Sequence, residues 1–343
     1  MIGSRTREFS RRDFLAGVSS LGVASPLGLP GRAAAEPPPE TTKLRVWGGG
    51  GVVTCVAPVY AAQDQLLRAE GFADVQYVEP RDNTSSWPPD SLLSGEADIS
   101  LSFPPTDILR IEAGAPVVIL AGSHIGCVEV VGGNRVRSTR ELKGKTAAVS
   151  QLGSDEHIFM SMFAAYVGLD PYKDINWVVY PWADHLPLFR AGKIDALFNG
   201  PPLSQEVRAK GIGHVLVNTT TDKPWSQYFC CLVVTTKEFV RKNPVATKRA
   251  LRAVLKAGDV CKFEPDRVAR LMESKGLARY EGTMQTLREI PYGTWRDYNP
   301  EEAVRFYALR MRDVGMLKST PQQIIAKGTD WRFLNELKRE LKA

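Results

Sequence analysis

Apolar positions along the chain follow two rhythms: short unbroken runs, and stripes spaced three or four residues apart. KLRVW (43–47), DVQYVE (74–79), ADISLSF (97–103) and APVVILAG (115–122) are strand-sized runs. Between them lie helical patterns, APVYAAQDQLLRAEG (57–71), the short PPDSLLSGE (88–96) and TDILRIEAG (106–114). Strand and helix alternating at this spacing predict parallel βαβ units and an α/β sheet. A second series starts near Glu141. ELKGKTAAVS leads into SDEHIFMSMFAAYVG, INWVVYP into HLPLFRAG and DALFNG into PLSQEVRAKG, and HVLVNTT closes it. SQYFCCLVVTTKEFV (226–240) adds one more strand, and everything beyond reads as helix. In that tail Asn299 predicts an N-cap with Pro300 in the first helical position, and Val304, Tyr307, Ala308 and Met311 form a core-facing stripe. Leu334, Leu337 and Leu341 repeat the device.

If the last strand and tail return to the first sheet, the chain crosses between two lobes twice, near Gly122–Val130 and near Pro224–Leu232. Two crossings make a hinge, with a cleft between the lobes. Ligands of open α/β sheets bind outside the carboxyl ends of the strands, so two facing sheets would enclose a small molecule.

The first 35 residues follow neither rhythm. Arg11 and Arg12 precede a weakly apolar run, Phe14 to Leu29, that ends in Ala33-Ala34-Ala35. Sixteen residues laced with Gly, Ser and Pro fall short of the ~20 apolar ones a membrane span needs. The parts are those of an export signal, with cleavage expected after Ala35, and Ser10 to Leu15 (SRRDFL) resembles the twin-arginine type. Residues 36–43, including EPPPETT, read as a linker outside the packed core.

Charge excludes more than it suggests. The chain is formally +6, of which the signal carries +3, and no basic run is interleaved with aromatics. No nucleic-acid partner is expected. The five cysteines, Cys55, Cys127, Cys230, Cys231 and Cys261, form no CxxC pair, and the four histidines lie far apart. Small buried hydrophobes are the expected role of most of these thiols. The spacing indicates no metal site, and nothing recognisable binds a cofactor. The glycine run at 48–51 fits neither dinucleotide nor P-loop spacing, and no GxSxG occurs. An enzyme is not expected. Asp155 and Glu156 open a predicted helix, where they would complement its dipole.

What recurs is a strand end running into a helix start: Gly50–Thr54, Ser102–Thr106, Gln151–Ser154, Pro181–Asp184 and Asn199–Pro202. Helix N-termini offer free N–H groups to anions. Trp47, Trp87, Phe103, Trp182, Phe198, Trp225 and Tyr228 sit at or near the same places and would suit an apolar or planar ligand body. The residue reading places an acidic group of the ligand at Gly153-Ser154.

Four segments carry a resemblance. SLLSGEADISLSFPPTDILRIEAGAPVVILAGS, STRELKGKTAAVSQLGSD, LFRAGKIDALFNGPPLSQE and VVTTKEFVRKNPVATKRALRAVLKA are similar, in this order, to segments of nitrate/taurine/alkanesulfonate-type periplasmic binding proteins. The resemblance implies a two-lobed type II periplasmic binding protein fold. Lobe I would be 44–123 plus 226–343, and lobe II 124–225. It implies a monomer in the periplasm that captures a small organic anion, a sulfonate or carboxylate, and delivers it to the membrane permease of an ABC importer. By position it implies Thr54, Phe103, Ser154, Trp182 and Asn199 as ligand contacts, to which the strand-end reading adds Ser102, Gly153, Trp225 and Tyr228. The loop at Gly48–Cys55 departs from the family pattern, which leaves the ligand least specified. The same fold serves a thiamine-pyrimidine synthase with a cysteine-rich iron motif, to which FCCLV (229–233) has a passing likeness, so a thiamine-precursor binder or synthase-like enzyme is one alternative. A ligand-loaded sensor for a membrane receptor is another.

Overall fold

The computed structural model describes residues 36–48, 53–78 and 88–341. The twin-arginine segment with its cleavage point, the glycines at 49–51, Val52 and Trp87 lie outside the described residues. Pro38–Ala343 forms one compact unit.

That unit holds two five-stranded sheets. The first contains β1 (Lys43–Trp47), β2 (Asp74–Val78), β3 (Ile99–Ser102), β4 (Val117–Ile125) and β10 (Phe229–Thr236), in the order β2-β1-β3-β10-β4. The second contains β5 (Glu129–Gly132), β6 (Lys145–Val149), β7 (Ile175–Val179), β8 (Ala196–Asn199) and β9 (His214–Asn218), in the order β7-β6-β8-β5-β9. Both are mixed rather than parallel. β10 runs antiparallel to β3 and β4, and β5 antiparallel to β8 and β9. The cause is the pair of crossings. A strand arriving from the other sheet enters from the opposite side and must run against its neighbours. β5 lies at the end of the stretch that the apolar pattern assigns to the first crossing.

The helices follow the patterns closely. α1 (residues 54–69, with a π turn at Ala62–Leu66), α2 (Pro88–Leu93) and α3 (Pro104–Glu112) serve the first sheet. α4 (Asp155–Tyr166), α5 (Trp182–Arg190) and α6 (Leu203–Ala209) serve the second. The tail continues as α7 (Lys237–Lys242), α8 (Pro244–Phe263), α9 (Pro265–Ser274), α10 (Tyr280–Glu289), α11 (Pro300–Asp313), α12 (Pro321–Gly328) and α13 (Arg332–Glu340). Asn299 caps α11, its Oδ1 accepting from Glu301 N at 3.0 Å, and Val304, Tyr307, Ala308 and Met311 are fully buried. No described helix is long and apolar enough to cross a membrane.

None of residues 36–43 is buried. Glu40 is tied to the fold: its two carboxylate oxygens accept from Val245 N at 3.0 Å and Ala246 N at 2.9 Å, capping α8. An acceptor at a helix N-terminus satisfies donors that lack intrahelical partners, so the prolines lead the chain onto the surface of the fold.

One apolar core runs through most of both sheets. At their junction Phe159 of α4 packs against Phe103 (ring centroids 6.1 Å apart), Phe198 (5.8 Å) and Trp225 (5.0 Å). Trp225 in turn meets Phe306 at 5.3 Å. Aromatic rings thus bind the first sheet, the second sheet and α11 into one packed block.

Candidate functional site

The carboxyl ends of strands from both sheets meet around a small cavity. Trp47 ends β1, Ser102 and Phe103 end β3, and Phe198 and Gly200 flank the end of β8. Asp155 and Trp182, the first residues of α4 and α5, complete the wall with residues of the α1 start and the crossings. Its volume is about 70 Å³, on the order of two waters by their share of the liquid. A larger hollow of about 740 Å³ lies at the amino ends of β1 and β3. There Arg45 and Asp98 already pair at 2.6 Å, and it is the wrong end of the strands for a ligand of an open α/β sheet.

The sequence-predicted residues divide. Ser102, Phe103 and Trp182 line the cavity. Thr54 lies just behind the wall, its N–H donating to Pro201 O at 3.0 Å across to the second sheet, with its hydroxyl 2.8 Å from that of Thr286. Asn199 is fully buried, and neither its amide oxygen nor its amide nitrogen has a hydrogen-bond partner. Ser154 is buried and spends its side chain as the N-cap of α4, accepting from His157 N at 3.4 Å. Gly153, with φ of 87°, makes the turn before it. Neither lines the cavity, so the expected anion contact at Gly153-Ser154 is not where the cavity is. Trp225, 1% exposed, is a core residue among aromatics, and Tyr228 stacks on Phe306 at 4.0 Å. Both are placed by packing.

Asp155 and Glu156 also differ from the expectation of a dipole-facing pair. Both are buried. Glu156 accepts from the backbone N–H of Ser150 at 2.6 Å and from its hydroxyl. Asp155 faces the cavity with Oδ1 unpartnered. Burial, with Glu156 and Asp107 nearby, pushes its carboxyl well above the usual range. Asp107 is pushed up too, chiefly by burial, although the Ser102 hydroxyl donates to it at 2.8 Å. The described lining contains no Lys or Arg. Its polar groups include the indole N–H of Trp47, buried and unpartnered, and the Asp155 carboxyl, whose burial favours the neutral form.

Spacing concealed one further feature. Cys55 of α1, His124 of β4, Cys127 of the first crossing and Cys231 of β10 are all buried, and their candidate ligand atoms lie within 4.8 Å of one another. Cys230 joins them, its sulfur 2.6 Å from that of Cys127. The register of β10 against β4 shifts on both sides of Cys231. This irregularity lets two consecutive cysteines approach one partner, although strand neighbours ordinarily point to opposite faces. The thiols of Cys127, Cys230 and Cys55 hold that of Cys231 well below its ordinary range through hydrogen bonds. Burial disfavours charge on His124, yet the Cys231 sulfur beside it leaves the imidazole raised. All five cysteines are buried, as small apolar side chains would be, but four of them lie together and Cys261 lies apart. No local motif announces the group, because its members are brought together from positions 55, 124, 127, 230 and 231.

The model of the NMT1-like family matches residues 38–274. No curated protein matches the chain in sequence. Among solved structures, the periplasmic nitrate-binding protein NrtA from Synechocystis PCC 6803 is 16% identical, with 89% of this chain and 90% of that one covered and a TM-score of 0.74. The alkanesulfonate-binding protein SsuA from Xanthomonas axonopodis pv. citri, bound to MOPS, is 17% identical over 87% of this chain and 100% of that one, with a TM-score of 0.64. The aliphatic sulphonate binding protein SsuA from Escherichia coli is 21% identical over 73% and 84%, with a TM-score of 0.59. The fold is the one these binding proteins share.

Proposed function

The chain belongs to the NMT1-like family, and from that premise we propose that it is the solute-binding component of an ABC importer, holding a small organic solute between its two sheets. The observation that carries this reading is the cavity, walled by strand ends and helix starts of both sheets and lying across the two crossings. The nitrate and sulfonate binders that share the fold support the class of protein. Delivery to a permease, a monomeric state and residence in the periplasm after cleavage behind Ala35 belong to the same proposal. Binding rather than catalysis accounts for the apolar wall.

At about 70 Å³ the cavity is smaller than the several hundred Å³ of a usual ligand pocket, so a solute enters by the sheets parting and leaves them closer when bound. With no Lys or Arg in the described wall, the donors open to an oxyanion are the Trp47 indole N–H and, when protonated, the Asp155 carboxyl. A carboxylic acid kept neutral by burial can donate in this way. The aromatic wall of Phe103, Trp182 and Phe198 suits the ligand's apolar body.

A thermal-shift panel of aliphatic sulfonates, aromatic carboxylates, nitrate and neutral pyrimidines tests the reading. A ligand at a hundred times its Kd stabilises by ~2.7 kcal/mol, several degrees in a protein of this size. Stabilisation by a carboxylate or sulfonate supports the organic-anion reading, and stabilisation by a neutral pyrimidine alone favours the thiamine-precursor alternative. A flat response throughout would count against solute binding.

A further inference from the structure

We infer that Cys55, His124, Cys127 and Cys231 form a binding site for one thiophilic d10 cation, Zn²⁺ or Cu⁺, on the hinge side of the cavity. Three thiols and an imidazole, all buried, present one donor atom each within 4.8 Å of one another. Tetrahedral Zn²⁺ with Zn–S bonds of about 2.3 Å places its ligand atoms about 3.8 Å apart, so closing the group onto an ion takes movements of an ångström or less. The donor set is selective. Thiolate with imidazole suits Zn²⁺ and Cu⁺, and gives no foothold to hard cations that need oxygen ligands.

The surroundings prepare the ligands. His124 Nδ1 lies 3.2 Å from Gly126 O, a geometry in which Nδ1–H donates to the carbonyl. Nε2 is buried with no hydrogen-bond partner. A histidine that donates from one nitrogen and keeps the other bare is oriented as metal-ligating histidines are. Tyr292 steadies two members, its hydroxyl donating to Cys55 O at 2.9 Å and its ring set edge-on to His124 at 5.1 Å. Four protein ligands fill the coordination sphere, as in structural rather than catalytic sites. The ligands come from α1, the end of β4, the first crossing and the bulged start of β10. A bound ion would therefore pin both crossings to the first sheet. This goes beyond the solute-binding reading and stands whether or not that reading holds.

The experiment uses the full chain, purified under reducing conditions, stripped with a chelator and titrated anaerobically with Zn²⁺ or Cu⁺ against a chromophoric competitor. The expected result is one equivalent bound, with release of thiol protons and a melting temperature raised by several degrees. Co²⁺ in place of Zn²⁺ should show the thiolate charge-transfer and visible bands of a tetrahedral site. Cys231→Ser should lower affinity by more than about 100-fold, beyond the 10–100-fold typical of outer-shell changes, while Cys261→Ser should bind as wild type does. If Cys231→Ser does not fold, the wild-type titration and the cobalt spectrum decide alone. The inference is overturned if the reduced wild type binds no stoichiometric metal, if Cys261→Ser weakens binding as much as Cys231→Ser, or if Cys127 and Cys230 prove to be joined in a disulfide that excludes the ion.

Discussion

The Gln205 side-chain amide of α6 donates to the Glu289 carboxylate at the end of α10, 2.9 Å away, and Arg208 of the same helix pairs with that carboxylate. α6 belongs to the second sheet, and α10 packs against α9 and the start of α1. The contact therefore links a helix of the second sheet to one that packs on the start of α1. Both charged partners are about a third exposed, so the pair is worth little by itself. A parting of the two sides would break it.

Glu289→Ala should therefore weaken solute binding roughly 2- to 10-fold, through loss of one partly exposed ion pair and one hydrogen bond to a charged group. The ligand-free melting temperature should hardly move. Calorimetry with the best compound of the panel checks both. A large drop in ligand-free stability with unchanged affinity would mean that the contact serves the fold rather than closure.

Trp182→Ala and Trp225→Ala should part company. Trp182 is half-buried on the cavity wall, whereas Trp225 is 1% exposed and surrounded by rings. Truncating Trp225 should cost about 3–5 kcal/mol of stability. Truncating Trp182 should cost far less and weaken the solute instead. Denaturant unfolding alongside binding measurements separates them, and similar stability losses would show that Trp182 is also a packing residue.

The buried carboxyls Asp107 and Asp155 give a pH dependence of definite sign. Burial raises both above their unfolded values, near 3.9. The folded state keeps protons that the unfolded chain releases, so this contribution is complete below about pH 4 and is lost as pH rises through the folded values. Asp155→Asn should flatten part of the decline in melting temperature with rising pH, measured against wild type. If Asp155 donates to a bound oxyanion, wild-type affinity falls over the same range. A variant with the wild-type slope would show that Asp155 is ionised in the fold.

Glu40→Ala should remove the cap from α8 and lower stability by about 1 kcal/mol. Glu40→Gln, which keeps an acceptor, should recover part of the loss. Equal stability of wild type and Glu40→Ala would show that the contact does not contribute.

Local chemistry in the sequence carried far. The strand runs, the Asn299 cap and the stripe Val304, Tyr307, Ala308 and Met311 all rest on interactions within a few residues, and the structure reproduces them. Strand ends flanked by aromatics pointed to Phe103 and Trp182 for the same reason. Local signals are silent where placement depends on distant partners. Nothing local distinguishes Trp225, buried by α4 and α11, from Trp182, which borders the cavity. Ser154 is a cap and a candidate contact by identical signals, and only the position of the cavity decides between them. The thiols of Cys55, Cys127 and Cys231 meet His124 only because both crossings converge, which periodicity cannot express.

Small-angle scattering tests the central claim most directly. With the compound that stabilises best in the panel added to saturation, the radius of gyration should fall as the two sheets close on the solute, and Glu289→Ala should need more compound for the same change. A radius of gyration unchanged at saturation would contradict closure of the sheets around a bound solute.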